Sequence, residues 1–224
     1  MKTIKAIIVL VTFFIGSMIA YSQTGLSIND MKVCRGQTKN ISIEMNNSVE
    51  IRALQMRIVL PEQVKLVAQP YVSSNRIGTY TDEFGNQVNS SIMVNYRIKD
   101  DGSIIIIVNS ADAIPFKGNK GTILNLTTFI DEQAEINTEN IEIKDIEMVC
   151  ADGCTYISPS NCICKIEILD TITSIMELKQ IVDDPVNVYT IDGKLLLEKI
   201  SIERLEKSLK KGTYIIDGVK IIIK

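Results

Sequence analysis

The feature that most constrains this chain is a recurring run of short segments in which apolar and polar residues alternate. Residues 40–45 read Asn-Ile-Ser-Ile-Glu-Met, and Leu54, Met56, Ile58 and Leu60 continue the alternation up to Pro61. Residues 92–98 and 103–108 flank Asp100-Asp101-Gly102, and 122–130, 141–150 and 162–169 follow. A period of two sends every second side chain to one face, so each segment reads as a half-buried strand. Isoleucine occurs 39 times in 224 residues, and β-branched side chains suit a pleated, packed surface. With an opening strand over 26–33, about eight such segments predict an all-β antiparallel sandwich. Residues 67–89 break the pattern. They form a long polar stretch holding Tyr71, Tyr80 and Phe84, and loops of that length are commonly functional or disordered.

Composition removes several chemistries. The chain has no histidine and no tryptophan. Ser-His-Asp and Cys-His nucleophile schemes, His general bases and His-bearing zinc sites are therefore excluded. Adjacent carboxylates at Asp82-Glu83, Asp100-Asp101, Asp131-Glu132 and Asp183-Asp184 fall mostly in turns. They do not present two carboxyls across a cleft, as a glycosidase requires. No catalytic residue, metal site or cofactor is expected. Net charge is −3 overall, and residues 23–170 hold 13 Lys and Arg against 19 Asp and Glu. An acidic body without a basic stripe makes nucleic acid an unsuitable partner.

Residues 1–22 carry Lys2 and Lys5, an apolar stretch over 6–19, and Ala20-Tyr21-Ser22 before Gln23. This order reads as a secretory signal peptide, its apolar run being shorter than a membrane span. No later segment is long and apolar enough to span, so the mature protein is expected to be exported. The sandwich is assigned to 23–170, a linker to 171–185, and a small β module to 186–224. In that module Val186-Asn187-Val188-Tyr189-Thr190-Ile191 and Thr213-Tyr214-Ile215-Ile216 precede Asp192-Gly193 and Asp217-Gly218 turns. Ile202, Leu205 and Leu209 have helical spacing.

Four of five cysteines, Cys150, Cys154, Cys162 and Cys164, lie close together. If 150–164 folded as one antiparallel hairpin, Cys150 would face Cys164 and Cys154 would face Cys162, leaving Cys34 over. In an exported protein two disulfides are the preferred reading. A four-thiolate zinc site and buried free thiols are the alternatives.

Two resemblances follow. Residues 26–149 resemble cohesin-like domains, the sandwich group that includes carbohydrate-binding modules. The carriers are Val33-Cys34-Arg35-Gly36-Gln37-Thr38, Ile51-Arg52-Ala53-Leu54-Gln55-Met56-Arg57-Ile58-Val59-Leu60-Pro61, and Ile114-Pro115-Phe116-Lys117-Gly118-Asn119-Lys120-Gly121-Thr122-Ile123-Leu124. Residues 186–224 resemble the C-terminal sorting domain of proteins exported by the type IX secretion system of Bacteroidetes, through Tyr189, Gly193, Gly212, Tyr214, Gly218 and Lys220. The Asn-Pro segment that usually opens that domain is replaced by Asp183-Asp184-Pro185. The resemblances imply an exported, non-enzymatic binding protein at the cell surface, with the terminal module addressed to a secretion translocon. A glycan is the first expected partner, with Tyr71, Tyr80 and Phe84 as the stacking platform and Arg76 orienting hydroxyls; the alternative role of these rings is to pin the long loop to the sandwich. A protein partner, held as cohesins hold dockerins through one sandwich face, is the alternative.

Overall fold

The computed structural model describes residues 24–153, 155–170, 178–179, 182 and 184–223. The 1–22 leader, Cys154 and most of the 171–185 linker lie outside them. The alternating segments fold as expected into two facing sheets. One sheet contains β1 (Gly25–Ser27), β3 (Thr38–Asn46), β11 (Lys120–Ile130) and β5 (Val64–Leu66) in that order, with β6 (Tyr71–Val72) also on β11. The other runs β2 (Met31–Cys34), β14 (Cys162–Leu169), β12 (Thr138–Cys150), β4 (Ile51–Val59), β10 (Ile104–Ser110) and β9 (Ile92–Ile98), with β13 (Tyr156–Ile157) on β12. The ladders within these two sheets are antiparallel except β2 with β14.

The period-two residues supply the core. Ile41, Ile43 and Met45 of β3 and Leu124 and Leu126 of β11 pack with Leu54, Met56 and Ile58 of β4 and Ile104, Ile106 and Val108 of β10 in one buried cluster. Removal of this apolar surface from water is the main favourable term, at about 25 cal/mol per Å².

The expected single strand over 26–33 is two. β1 joins the five-stranded sheet and β2 crosses to the seven-stranded one. The break falls at Asn29-Asp30, where Asp30 Oδ1 accepts a hydrogen bond from Lys165 N at 2.7 Å. One chain segment thereby belongs to both sheets and closes that side of the sandwich. The parallel β2–β14 pair also sets two ends. Cys34 and Leu169 share one end with Ile98, and the start of β9 marks the other.

The polar stretch over 67–89 is ordered. It contains β6, a 3-10 turn at Ser74–Arg76, and a hairpin of β7 (Thr79–Thr81) and β8 (Gln87–Asn89) that joins neither main sheet.

Beyond the linker, β15 (Val186–Thr190), β16 (Leu195–Ile200), α1 (Ile202–Ser208), β17 (Gly212–Ile216) and β18 (Val219–Ile223) form a sheet of order β16-β15-β17-β18. Asp184 Oδ1 accepts from Ile202 N at 3.0 Å, satisfying one of the free donors at the start of α1. Val186, Val188, Ile202, Leu205, Ile216, Val219 and Ile221 make a second core. That cluster also contains Cys34, with Leu169 packed against it, so the module sits against the Cys34 end of the sandwich.

Ile106 is fully buried and Ile107, its neighbour on the opposite face, is 41% exposed. Ile106→Ala should cost about 2–5 kcal/mol and Ile107→Ala less than about 1 kcal/mol. Urea unfolding of the two variants checks this; equal losses would mean the sheet is turned over.

Candidate functional site

The four residues proposed for a sugar platform are spread over β6, the 3-10 turn and the β7–β8 hairpin. Tyr71 is exposed on β6, opposite Asn125. Tyr80 lies half-buried in the β7–β8 hairpin opposite Val88, and Phe84, 80% exposed, is at its tip. Arg76 is only 1% exposed and is not a ligand residue. Its Nη2 donates to Asn47 Oδ1 at 2.8 Å, and Asn47 Nδ2 in turn donates to Val49 O and Gly118 O. Burial lowers the Arg76 pKa, while the Glu44 charge raises it. Its backbone carbonyl accepts from Lys117 N at 2.9 Å. Arg76 therefore binds the long insertion to two neighbouring loops. A lone Arg in a polar stretch carries no sign in sequence of whether it points outward or inward.

Sequence reasoning left another surface unassigned. The outer face of the seven-stranded sheet follows from its registers. Asn95, Ile107, Gln55 and Glu147 form one cross-strand row over β9, β10, β4 and β12. Arg97, Ile105, Arg57 and Lys144 form the next, and Met93, Asn109, Ala53 and Val149 a third. Met93 is 47% exposed and Ile107 41%. The face is an extended plate over four strands, apolar and amide-bearing at its centre, with cations along one side. A bulge in β12 shapes that side. Asp145 has φ 51°, the register shifts between Lys144 and Glu147, and Asp145 Oδ2 pairs with Arg57 Nε at 2.9 Å. The signal that could have revealed this face was the wrong-phase apolar residue in the Ile104-Ile105-Ile106-Ile107 run, where inner positions alone would need isoleucine.

The Cys150–Cys164 pairing fails on register. Cys164 lies opposite Ile141, and Cys162 opposite Ile143. Cys150 pairs across to Ile51 of β4 instead. Cys150 thus stands nine residues along β12 from the position facing Cys164, roughly 30 Å at strand rise. The hairpin assumption was wrong because residues 151–161 leave the ladder, with β13 turning back onto Met148 and Val149. Cys150, Cys162 and Cys164 are thiols, and the proposed partner Cys154 lies outside the described residues. Among the described residues no group of three or more Cys, Asp or Glu is placed to hold a metal. Nor is any helix among them long and apolar enough to cross a membrane.

The motif residues of the terminal module have local physical roles. Gly218 (φ 80°) and Asp217 (φ 45°) form the two-residue turn between Ile216 and Val219, which needs left-handed backbone at both positions. Gly193 (φ 85°) closes the turn from Thr190 to Lys194, with Lys194 N donating to Thr190 Oγ1 at 3.0 Å. Gly212, by contrast, is not left-handed. A Cβ there would stand 3.3 Å from the Tyr214 hydroxyl oxygen. Glycine lets the Tyr214 ring fold back, so that its hydroxyl donates to Lys210 O at 2.9 Å. Tyr189 is half-buried between Leu195 and Ile215 on β16 and β17, and Lys220 is exposed.

No protein-family model matches this chain, and no curated protein matches it. Solved structures do. The type I cohesin of OlpA from Clostridium thermocellum, in complex with a dockerin, superposes with TM-score 0.52 at 12% identity, covering 66% of this chain and 99% of that one. The sixth cohesin of scaffoldin B from Acetivibrio cellulolyticus, bound to the Cel5 dockerin, gives 0.50 at 13% identity over 66% and 100%. The solution structure of CaCohA2 from Clostridium acetobutylicum gives 0.50 at 16% over 66% and 91%. The sandwich thus has a cohesin-like fold, an antiparallel-rich, nearly all-β architecture.

Burial, then Asp30 and Cys162, push the Cys164 thiol up to about 11. The folded pKa lies above the unfolded value of about 8.5. Its contribution to stability is therefore complete below that value and is lost as pH rises through about 11. Cys164 is 1% exposed, so its alkylation should stay slow at every pH at which the sandwich is folded, whereas the unfolded chain reacts from pH about 8.5. Peptide mapping after iodoacetamide labelling checks both this and the absence of a Cys150–Cys164 bridge.

Proposed function

We propose that this chain is a non-catalytic protein-binding module that holds its partner on the outer face of the seven-stranded sheet. The observation that carries the reading is the plate of Met93, Ile105, Ile107, Ala53 and Val149 among Asn95, Asn109 and Gln55, spread over four hydrogen-bonded strands. An extended plate with exposed apolar side chains fits a protein surface better than a small molecule, which needs concavity. Two of the cohesins with the same fold are described in complexes with dockerins, which supports a partner of this kind. A glycan partner has less behind it, since Arg76 is buried and Tyr71 stands on a different element from Tyr80 and Phe84.

Ile107→Arg should weaken the partner complex by about 30-fold or more, the loss of a central apolar anchor. The thermal midpoint should move by no more than about 2 °C, because the side chain contributes little to the core. Calorimetric titration of a partner isolated on the full-length protein measures both. Undiminished binding by Ile107→Arg, or tight binding of a soluble oligosaccharide in place of any protein, would overturn the reading.

We propose, in addition, that residues 186–224 act as an export address and that the protein works outside the cell or on its surface. The support is the spacing of Tyr189, Gly193, Gly212, Tyr214 and Gly218, whose glycines set two turn shapes and one ring contact. Exchange of Gly212 for Ala should shift the Tyr214 ring by a few tenths of an ångström, weaken its hydroxyl bond to Lys210 O and reduce surface delivery in a host with a type IX system. Fractionation and surface proteolysis of both forms measure this. Equal delivery would show that the module has another role.

A further inference from the structure

The β7–β8 hairpin stands apart from both sheets, yet it is built stiffly. Its base is fixed at several points. Ser90 N donates to Gly78 O at 2.8 Å, and Ser91 N donates to Asp112 Oδ2 at 2.7 Å. The Ser90 and Ser110 hydroxyls lie 2.7 Å apart. A Cβ on Gly78 would come within 2.3 Å of Pro115 O, so the base lies flush against that loop. Immediately upstream is the buried Arg76, bound to Asn47.

The tip is equally defined. Asp82 Oδ1 accepts from Phe84 N at 2.9 Å and from Asn86 N at 2.8 Å, and Asp82 Oδ2 accepts from Asn86 Nδ2 at 3.2 Å. These bonds hold the Asp82 carboxyl below its ordinary pKa. Gly85 takes the left-handed conformation with φ 83°. This turn displays Phe84 at 80% exposure, the highest among the exposed large hydrophobic side chains of the described residues. Such a ring contributes nothing to its own fold, and a preorganised turn lowers the entropy lost when the ring is bound.

We propose that this hairpin is a second interaction element, a prong that seats Phe84 in an apolar socket on a partner protein whose rim carries Lys or Arg. The charge on the prong selects that rim. Residues 79–89 contain Asp82 and Glu83 and no cation, so a cationic border is complementary and an acidic one is rejected. Sugar recognition is a poorer match, because the exposed amides of Asn86 and Gln87 each already spend one donor inside the hairpin. Asn86 Nδ2 is committed to Asp82, and Gln87 Nε2 to Thr81 Oγ1 at 2.6 Å. An anionic membrane surface would repel the two carboxylates. A second copy of this chain offers an apolar groove at Leu60, Val64, Leu66 and Ile98, but Glu62 and Asp101 outnumber Lys65 along it. The hairpin directly precedes β9, at the opposite end of the sandwich from Cys34 and the terminal module. It is therefore free to reach a partner while the module is in place.

Photocrosslinking from position 84 tests the prong in the full-length chain, with p-benzoylphenylalanine replacing Phe84 in the producing cell. The expected result is one discrete protein adduct whose crosslinked peptide lies among apolar residues bordered by Lys or Arg. Adding Glu83→Lys should lower its yield on the order of tenfold. Phe84→Ala should weaken binding of that purified protein by a similar factor, at unchanged thermal midpoint. Phe84→Trp supplies the sole tryptophan of the chain as a second readout. A blue shift of its emission with phosphatidylglycerol vesicles or with cellohexaose would overturn the proposal in favour of a membrane or a sugar. Scattered adducts, or none, would overturn it outright. Because Ile107→Arg alters the sheet face alone, persistence of the position-84 adduct in that variant separates this element from the sheet-face site.

Discussion

Burial of one face of each sheet against the other is the interaction on which the rest of this structure depends. Ile41, Ile43 and Met45 meet Leu54, Met56, Ile58, Ile106 and Val108 across the sandwich. Because side chains alternate, this burial also fixes what faces outward. Once Ile104, Ile106 and Val108 are inside, Ile105 and Ile107 must lie on the outer plate. A slip of one residue in β10 would exchange the two sets, exposing the core and burying Asn109. The interaction surface is in this sense a consequence of packing, and its rows are as well defined as the hydrogen-bond ladders beneath them.

The two sides of the sandwich are finished differently. On one side β1 and β2 belong to opposite sheets, so the chain itself joins them, and the parallel pairing of β2 with β14 ends at Cys34 and Leu169. The terminal module packs its second core against that end. On the other side the sheets end at β5 and β9, and the insertion over 67–89 occupies part of the gap. Gln69 Nε2 donates to Val94 O of β9 at 3.4 Å, and β6 adds to β11. Unpaired edge strands invite association. Here one edge is partly covered by a segment whose remaining length is folded into the hairpin that carries Phe84.

The contrast between Arg76 and Phe84 shows how tertiary context assigns roles within one insertion. In the sequence both are conspicuous residues in a polar stretch. In the fold the cation is inside, its Nη2 bonded to Asn47 while the Arg76 backbone carbonyl accepts from Lys117 N, and the aromatic ring is outside. Burying a guanidinium is tolerable only where hydrogen bonding compensates part of the lost hydration. Exposing a ring costs little for a monomer, and becomes favourable when a partner covers it.

The sequence by itself determined the all-β class, most strand positions, the Asp-Gly turns and the short helix α1, because each depends on a local period or on the left-handed backbone that glycine permits. It also determined the exclusions that follow from having no histidine. Three things were settled only by tertiary structure. One is the crossing of β1 and β2 between sheets, which turns on where Asp30 finds Lys165 N. Another is the offset of β14 along β12, which places Cys164 opposite Ile141 rather than Cys150 because an intervening loop can absorb any number of residues. The last is which of the outward residues share a row. Registers between strands far apart in the chain are chosen by the whole set of contacts in both sheets. No local pattern contains that information, and so the plate of Met93, Ile107 and Val149 existed as a surface only once the chain had folded.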